Sequence, residues 1–177
     1  MKTNILFTLI FSALFIHISS AQNKKRSVWP IDEISYSNIY VQYGHKKPHN
    51  LNINTKNIVQ LFGKPIKIYR AKSEISGEMY TDYTYPFGVI SIEGRNDTDN
   101  IEFKDRGLAF VFKINNKFTK PVSVGDDASY LGVLFPKSRK MMRENFFEVW
   151  IAGTDSSISF EINNGYIKAM TLFTNES

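Results

Sequence analysis

Leu61-Phe62-Gly63-Lys64-Pro65 closes one short apolar segment of this chain, and Leu134-Phe135-Pro136-Lys137-Ser138 closes a second. Each is followed by β-rich sequence that ends in a turn and another strand. A unit used twice suggests two copies of one small α/β module sharing a sheet, an architecture suited to gripping a partner.

The first copy opens on a cap, Asn54 or Thr55, ahead of a short helix. Ile58, Leu61 and Phe62 fall at i, i+3 and i+4, one apolar stripe for a sheet to cover. Gly63 supplies a left-handed terminal residue and Pro65 prevents continuation. Ile66 to Arg70 alternates as a strand. Met79 to Tyr85 and Val89 to Ile92 are rich in β-branched and aromatic residues and are interrupted at Pro86-Phe87-Gly88. Ile101 to Phe103 and Leu108 to Ile114 read as a hairpin closed around Lys104-Asp105-Arg106-Gly107.

The second copy repeats this plan. Ser123 and Asp126 have capping-box spacing, and Asp126 and Asp127 place negative charge where a helix dipole favours it. Leu131, Leu134 and Phe135 renew the stripe and Pro136 stops the helix. Phe146 to Ile151 and Ser157 to Ile162 read as strands. Asn163-Asn164-Gly165 is a strong hairpin turn returning through Tyr166 to Phe173, where lost alternation between Ile167 and Met170 marks a bulge.

Helix, stop and several antiparallel strands, used twice, resembles the tandem fold of the beta-lactamase inhibitor protein family. Each half resembles the small outer-membrane assembly lipoproteins that share that fold. The matching residues are Ile58, Leu61-Phe62-Gly63-Lys64-Pro65 and the Tyr83–Tyr85 strand in the first half. In the second they are Val124-Gly125-Asp126-Asp127, Leu134-Phe135-Pro136 and Asn164-Gly165-Tyr166-Ile167. The likeness covers residues 52–175, and the chain lacks the cysteines those families carry. It implies an α+β protein, two tandem helix-plus-antiparallel-sheet modules forming one curved sheet with the helices on one face. Ile58, Leu61, Phe62, Leu131, Leu134 and Phe135 are expected in the core.

The chain's first residues carry a separate message. Lys2 precedes an apolar run from Ile5 to Ile18, and Ser19-Ser20-Ala21 offers small residues for cleavage before Gln22. The run is shorter than the roughly 17–25 residues that span a bilayer. The reading is a signal peptide over 1–21, a polar lead-in over 22–51, and one domain over 52–177 made of modules 52–121 and 122–177. Ile34, Tyr36, Ile39 and Val41 in the lead-in suit an edge strand or a core cover. With no cysteine, the chain has no lipidation site, disulfide, thiol nucleophile or thiolate metal site. Export without disulfides points to a bacterial periplasmic or secreted protein. A net charge of +5 is dispersed apart from Lys24-Lys25-Arg26 and Arg139-Lys140 with Arg143, and forms no basic stripe for nucleic acid. No transmembrane segment is expected after signal removal.

Chemistry-bearing residues are sparse. After the signal only His45 and His49 remain, in a Gly- and Pro-containing loop that reads as solvent-exposed. Asp97, Asp99 and Glu102 occupy a turn-rich stretch but lack the steps and central glycine of a calcium loop. No nucleophile elbow, Ser-x-x-Lys box or phosphate loop occurs. No cofactor and no metal is expected. An envelope hydrolase such as a glycosidase would need two of Asp97, Asp99, Glu102, Asp126, Asp127, Glu148, Asp155 or Glu161 to converge. A carrier for a small apolar ligand would need a closed, lined cavity.

The aromatic strands are the best lead. Tyr83 and Tyr85 share one sheet face, and Phe146 and Trp150 share a face opposite Phe147, Val149 and Ile151. A strand apolar on both sides needs two coverings, either both from the core or one from a partner. The partner reading places Tyr83, Tyr85, Phe146 and Trp150 on an open sheet surface that binds another envelope or secreted protein, without catalysis.

Overall fold

A computed structural model describes residues 31–174 except 75, 95–96 and 140–144, with the backbone alone at 97–99 and 139. The signal segment, Lys24-Lys25-Arg26, Lys140 and Arg143 lie outside the described residues. Among the described residues no helix is long and apolar enough to cross a membrane.

The chain is mixed α and β, strand-rich, and built as two sheets. It runs through β1 (Glu33–Ile34), β2 (Ile39–Tyr43), β3 (His49–Asn50) and helix α1 (Ile58–Phe62). Strands β4 (Lys67–Lys72), β5 (Met79–Tyr85), β6 (Gly88–Glu93) and β7 (Asp97–Phe103) form a meander. Then come β8 (Leu108–Ile114), β9 (Lys117–Phe118), β10 (Val122–Ser123), α2 (Ser129–Leu134) and α3 (Pro136–Arg139). A second meander closes the chain with β11 (Phe146–Ile151), β12 (Ser157–Asn163) and β13 (Tyr166–Phe173). The large sheet has eight strands in the order β1-β11-β12-β13-β7-β6-β5-β4, and a five-stranded sheet has the path β10-β8-β2-β3 with β9 on β8.

The second sheet corrects two expectations, a single sheet and a β7–β8 hairpin. At Lys104–Gly107 the chain leaves the large sheet, and β8 pairs with β2, β9 and β10 instead of β7. The physical reason lies in Leu108-Ala109-Phe110-Val111-Phe112, buried at every position. A strand apolar on both faces cannot sit at a half-solvated position and takes the centre of a covered sheet. Residues 31–51 are accordingly part of the structure. Ile39 and Val41 are buried on β2, which pairs with β8 along its length. The Asp32 carboxylate accepts from the Lys137 and Ser138 amides at 2.7 and 2.9 Å, and β1 runs parallel to β11.

Aromatic rings tie the two sheets together. Phe103 of β7 meets Phe110 of β8 at 4.9 Å between centroids, and Phe110 continues to Phe112. Phe112 meets Phe135 edge-on at 5.1 Å, and Phe135 passes the contact to Phe147 on β11. At the other side Phe62, the last residue of α1, touches Tyr43 of β2 and both Tyr85 and Phe87 of the β5–β6 turn. Phe62 at the end of α1 and Phe135 between α2 and α3 therefore wedge aromatics between the sheets, on the buried side of the large one.

Local chemistry explains the ends. Asn54 Oδ1 accepts from the Lys56 and Asn57 amides at the turn into α1, and Gly63 leaves the helix at φ +86°. Asp126 bonds back to the Ser123 amide, but Ser123 belongs to β10 and α2 starts only at Ser129, after Asp127 has accepted its amide. The capping-box spacing thus closes a turn and not a helix. Pro136 ends α2 and begins α3, where its missing N–H costs nothing. Gly88 is required, since a Cβ there would lie 1.8 Å from the Glu102 carbonyl oxygen. Lys168 is the extra residue of the β12–β13 register shift, within the stretch where alternation is lost.

A chain beginning at residue 52 is expected to show no cooperative urea transition, because β8 loses the partner that covers its edge, whereas one beginning at 22 unfolds cooperatively. Phe110→Ala in the longer chain should cost about 3–5 kcal/mol, read as a lower urea midpoint at unchanged slope.

Candidate functional site

Strand β11 reads Phe146-Phe147-Glu148-Val149-Trp150-Ile151, and its burial alternates with the sequence. Phe147, Val149 and Ile151 are buried, while Phe146 is 43% and Trp150 46% exposed. The inter-strand register carries this parity across the sheet. Val149 starts a buried row through Ile158, Leu172, Ile101, Ile90 and Tyr83. Trp150 starts the neighbouring, outward row through Ser157, Phe173, Asn100, Ser91, Asp82 and Tyr69. Glu148, Ser159, Thr171, Glu102, Val89, Thr84 and Lys67 form a second outward row beside it.

That register corrects half of the expected aromatic site. Tyr83 and Tyr85 belong to the inward parity and are each only 4% exposed. Tyr85 stacks on Phe87 at 5.0 Å and its hydroxyl donates to the Gly63 carbonyl at 3.3 Å, so it serves the α1 packing site. Phe146 and Trp150 do share the open face. The residues that join them were missed: Phe173, 48% exposed, stands two strands from Trp150 with only Ser157 between. At about 4.8 Å per strand the two aromatics lie roughly 10 Å apart over a serine. At the far edge Tyr69 and Tyr80 place rings 6.2 Å apart on the same outward face. Partial desolvation, with Tyr69 and Asp82 nearby, raises the Tyr80 phenol above its ordinary value. A strict two-residue parity counted from Gly88 would have separated Tyr80 from Tyr83 in sequence alone.

Between the aromatics the face is small and polar. The Ser91 hydroxyl donates to Asp82 at 2.7 Å, Lys104 pairs with Glu102 at 3.0 Å, and Lys168 pairs with Glu161 at 2.7 Å. Glu148 and Glu102 stand three strands apart in one row, about 14 Å, whereas Glu148 and Glu161 are diagonal neighbours about 7–8 Å apart on an open sheet face, where Glu161 is paired with Lys168. Asp126 accepts from the Ser123 amide of β10, and the Ser129 amide that opens α2 holds Asp127 below the usual carboxylate range. The Asp97 and Asp99 side chains lie outside the described residues. His45 and His49 are exposed, and among the described residues no group of three or more His, Asp or Glu gathers. A recess of about 240 Å³ opens beside Trp150, lined by Glu33, Ile151, Gly153, Thr154 and Asp155. Comparison with protein-family models, curated proteins and solved structures gives no match.

The buried phenol of Tyr85 gives a pH-dependent signature of this packing. Burial pushes it from 10.0 up to about 12. Its folded value is raised, so its contribution is fully present below pH 10 and is lost as pH climbs toward about 12. Urea midpoints measured between pH 9 and 12 should fall less steeply for Tyr85→Phe than for the wild type, and at neutral pH the variant should lose about 1 kcal/mol with its hydrogen bond.

Proposed function

We propose that this chain is an exported, non-enzymatic binding protein of the bacterial envelope that docks a partner protein on the solvent side of its large sheet. Its role would be of the inhibitor, immunity or assembly-factor type. The observation that carries the reading is the outward placement of Phe146, Trp150 and Phe173, each close to half exposed, on a sheet whose other side is core. Trp150 and Phe173 present roughly 200 Å² of apolar surface two strands apart, and Phe146 adds a third aromatic about 13 Å along β11, beyond Glu148. Six spacings of about 4.8 Å between the seven longer strands, each about 20–25 Å long, give a face near roughly 650 Å². That approaches the roughly 800 Å² per partner of a stable complex. The serines and threonines between the aromatics offer hydroxyls to a partner's backbone without the cost of burying charge.

Export is read from Lys2, the Ile5–Ile18 run and the Ser19-Ser20-Ala21 junction, with cleavage before Gln22 and a periplasmic or secreted destination. The same reading takes the two helix-and-meander segments as copies of one module. It is supported by β5–β6–β7 and β11–β12–β13, both antiparallel meanders, which meet antiparallel at β7 and β13. The outer strands differ, since β4 extends its meander antiparallel while β1 runs parallel to β11.

Capture from envelope extracts with the mature chain, followed by titration of the recovered protein in purified form, tests the docking face. Trp150→Ala should weaken binding about thirtyfold, the scale of an aromatic hot spot, and Phe146→Ala and Phe173→Ala less. The melting temperature of each variant should stay close to wild type because these side chains are half solvated. Unchanged affinity in the Trp150→Ala, Phe173→Ala double variant sinks the assignment.

A further inference from the structure

We infer that β4 is a strand-addition site for an acidic, extended segment of a partner protein. Strand β4 ends the large sheet, and among the described residues nothing pairs with its outer side. The Ser73 amide donates to the Glu78 carbonyl where the β4–β5 hairpin closes, which sets the alternation of the ladder. Lys67, Tyr69 and Ala71 therefore turn their amides and carbonyls toward β5. Ile68, Arg70 and Lys72 turn theirs to the open edge. Three outward residues repeated along one strand form a template for another chain.

The side chains define what fits. From Lys64 to Lys72 there are Lys64, Lys67, Arg70 and Lys72 and no acidic residue. The ion pairs among the described residues, Lys104 with Glu102 and Lys168 with Glu161, leave β4 out. Ile66, Ile68 and Tyr69 are 70%, 50% and 49% exposed, so apolar contact is offered on both faces of the edge. An incoming antiparallel strand with carboxylates opposite Lys72, Arg70 and Lys67 and an aliphatic residue opposite Ile68 satisfies all of these groups. A second copy of this chain does not: in a centred antiparallel pair Arg70 meets Arg70, and like charges directly opposed destabilise a sheet. This edge lies six strand spacings from Trp150, at the other end of the same sheet.

The test uses the mature chain and a short synthetic peptide that sets Glu opposite Lys72, Arg70 and Lys67 and Val opposite Ile68. Saturable binding by fluorescence anisotropy is expected, weakening with salt, together with slowed hydrogen exchange at the Ile68, Arg70 and Lys72 amides. Arg70→Glu combined with Lys72→Glu should weaken binding about tenfold, two cross-strand pairs being reversed. Arg70→Pro should abolish it by removing an outward donor without breaking the β5 ladder. Circular dichroism of each variant checks that the fold is kept. A peptide with Lys in place of Glu should not bind, and Trp150→Ala should leave binding unchanged, which separates this site from the sheet-face reading. No saturable binding to the wild type would mean that the lysines merely guard the edge and would overturn the proposal. Binding indifferent to the Arg70 variants, protection elsewhere, or self-association at β4 would overturn it equally.

Discussion

Phe103 and Phe110 press ring against ring between two sheets, and the rest of the molecule is arranged around that contact. Phe103 closes β7 in the large sheet, and Phe110 sits at the centre of a strand with no solvated side. A strand of that kind demands cover on both faces. The large sheet covers one. Once β8 lies against Phe103, the chain before residue 52 must supply β2 to pair with it, and the helices must fill the sides with Phe62 and Phe135.

Committing one side of the large sheet to this core determines what the other side presents. Strand geometry sends alternate residues to opposite faces, so burying Val149, Ile158, Leu172, Ile101, Ile90 and Tyr83 expels Trp150, Ser157, Phe173, Asn100, Ser91 and Asp82 in one step. A slip of one residue in any pair would exchange the two sets, at a cost of several buried side chains worth about 1.5–3 kcal/mol each. The open face is thus held by the core and not by its own contacts. Phe146, Trp150 and Phe173 therefore face outward because the residues that alternate with them are buried.

Much of this was legible in local sequence. The boundaries of β5, β6, β11, β12 and β13 follow from alternation and turn residues, and the Asn164-Gly165 turn has the positive φ at both positions that the motif demands. The outward aspect of Phe146 and Trp150 was readable from β11, whose two faces differ in character. Tyr83 and Tyr85 were ambiguous because β5 alternates aromatics with threonines and an aspartate, and tyrosine suits either side. The Asn115-Asn116 turn, with positive φ at both asparagines, joins β8 to β9 and was a signal passed over.

Taken alone, the sequence determined most strands of the two meanders, the Asn164-Gly165 turn and the two short apolar helices, because those follow from period and residue type over a few neighbours. Tertiary structure alone decided that β8 departs to a second sheet, that β2 of the lead-in is the strand it pairs with, that Phe173 comes beside Trp150, and that β4 is left as an open basic edge. These depend on pairing between segments distant along the chain. Such pairing is selected by the total apolar surface that all strands bury together, which no local window contains.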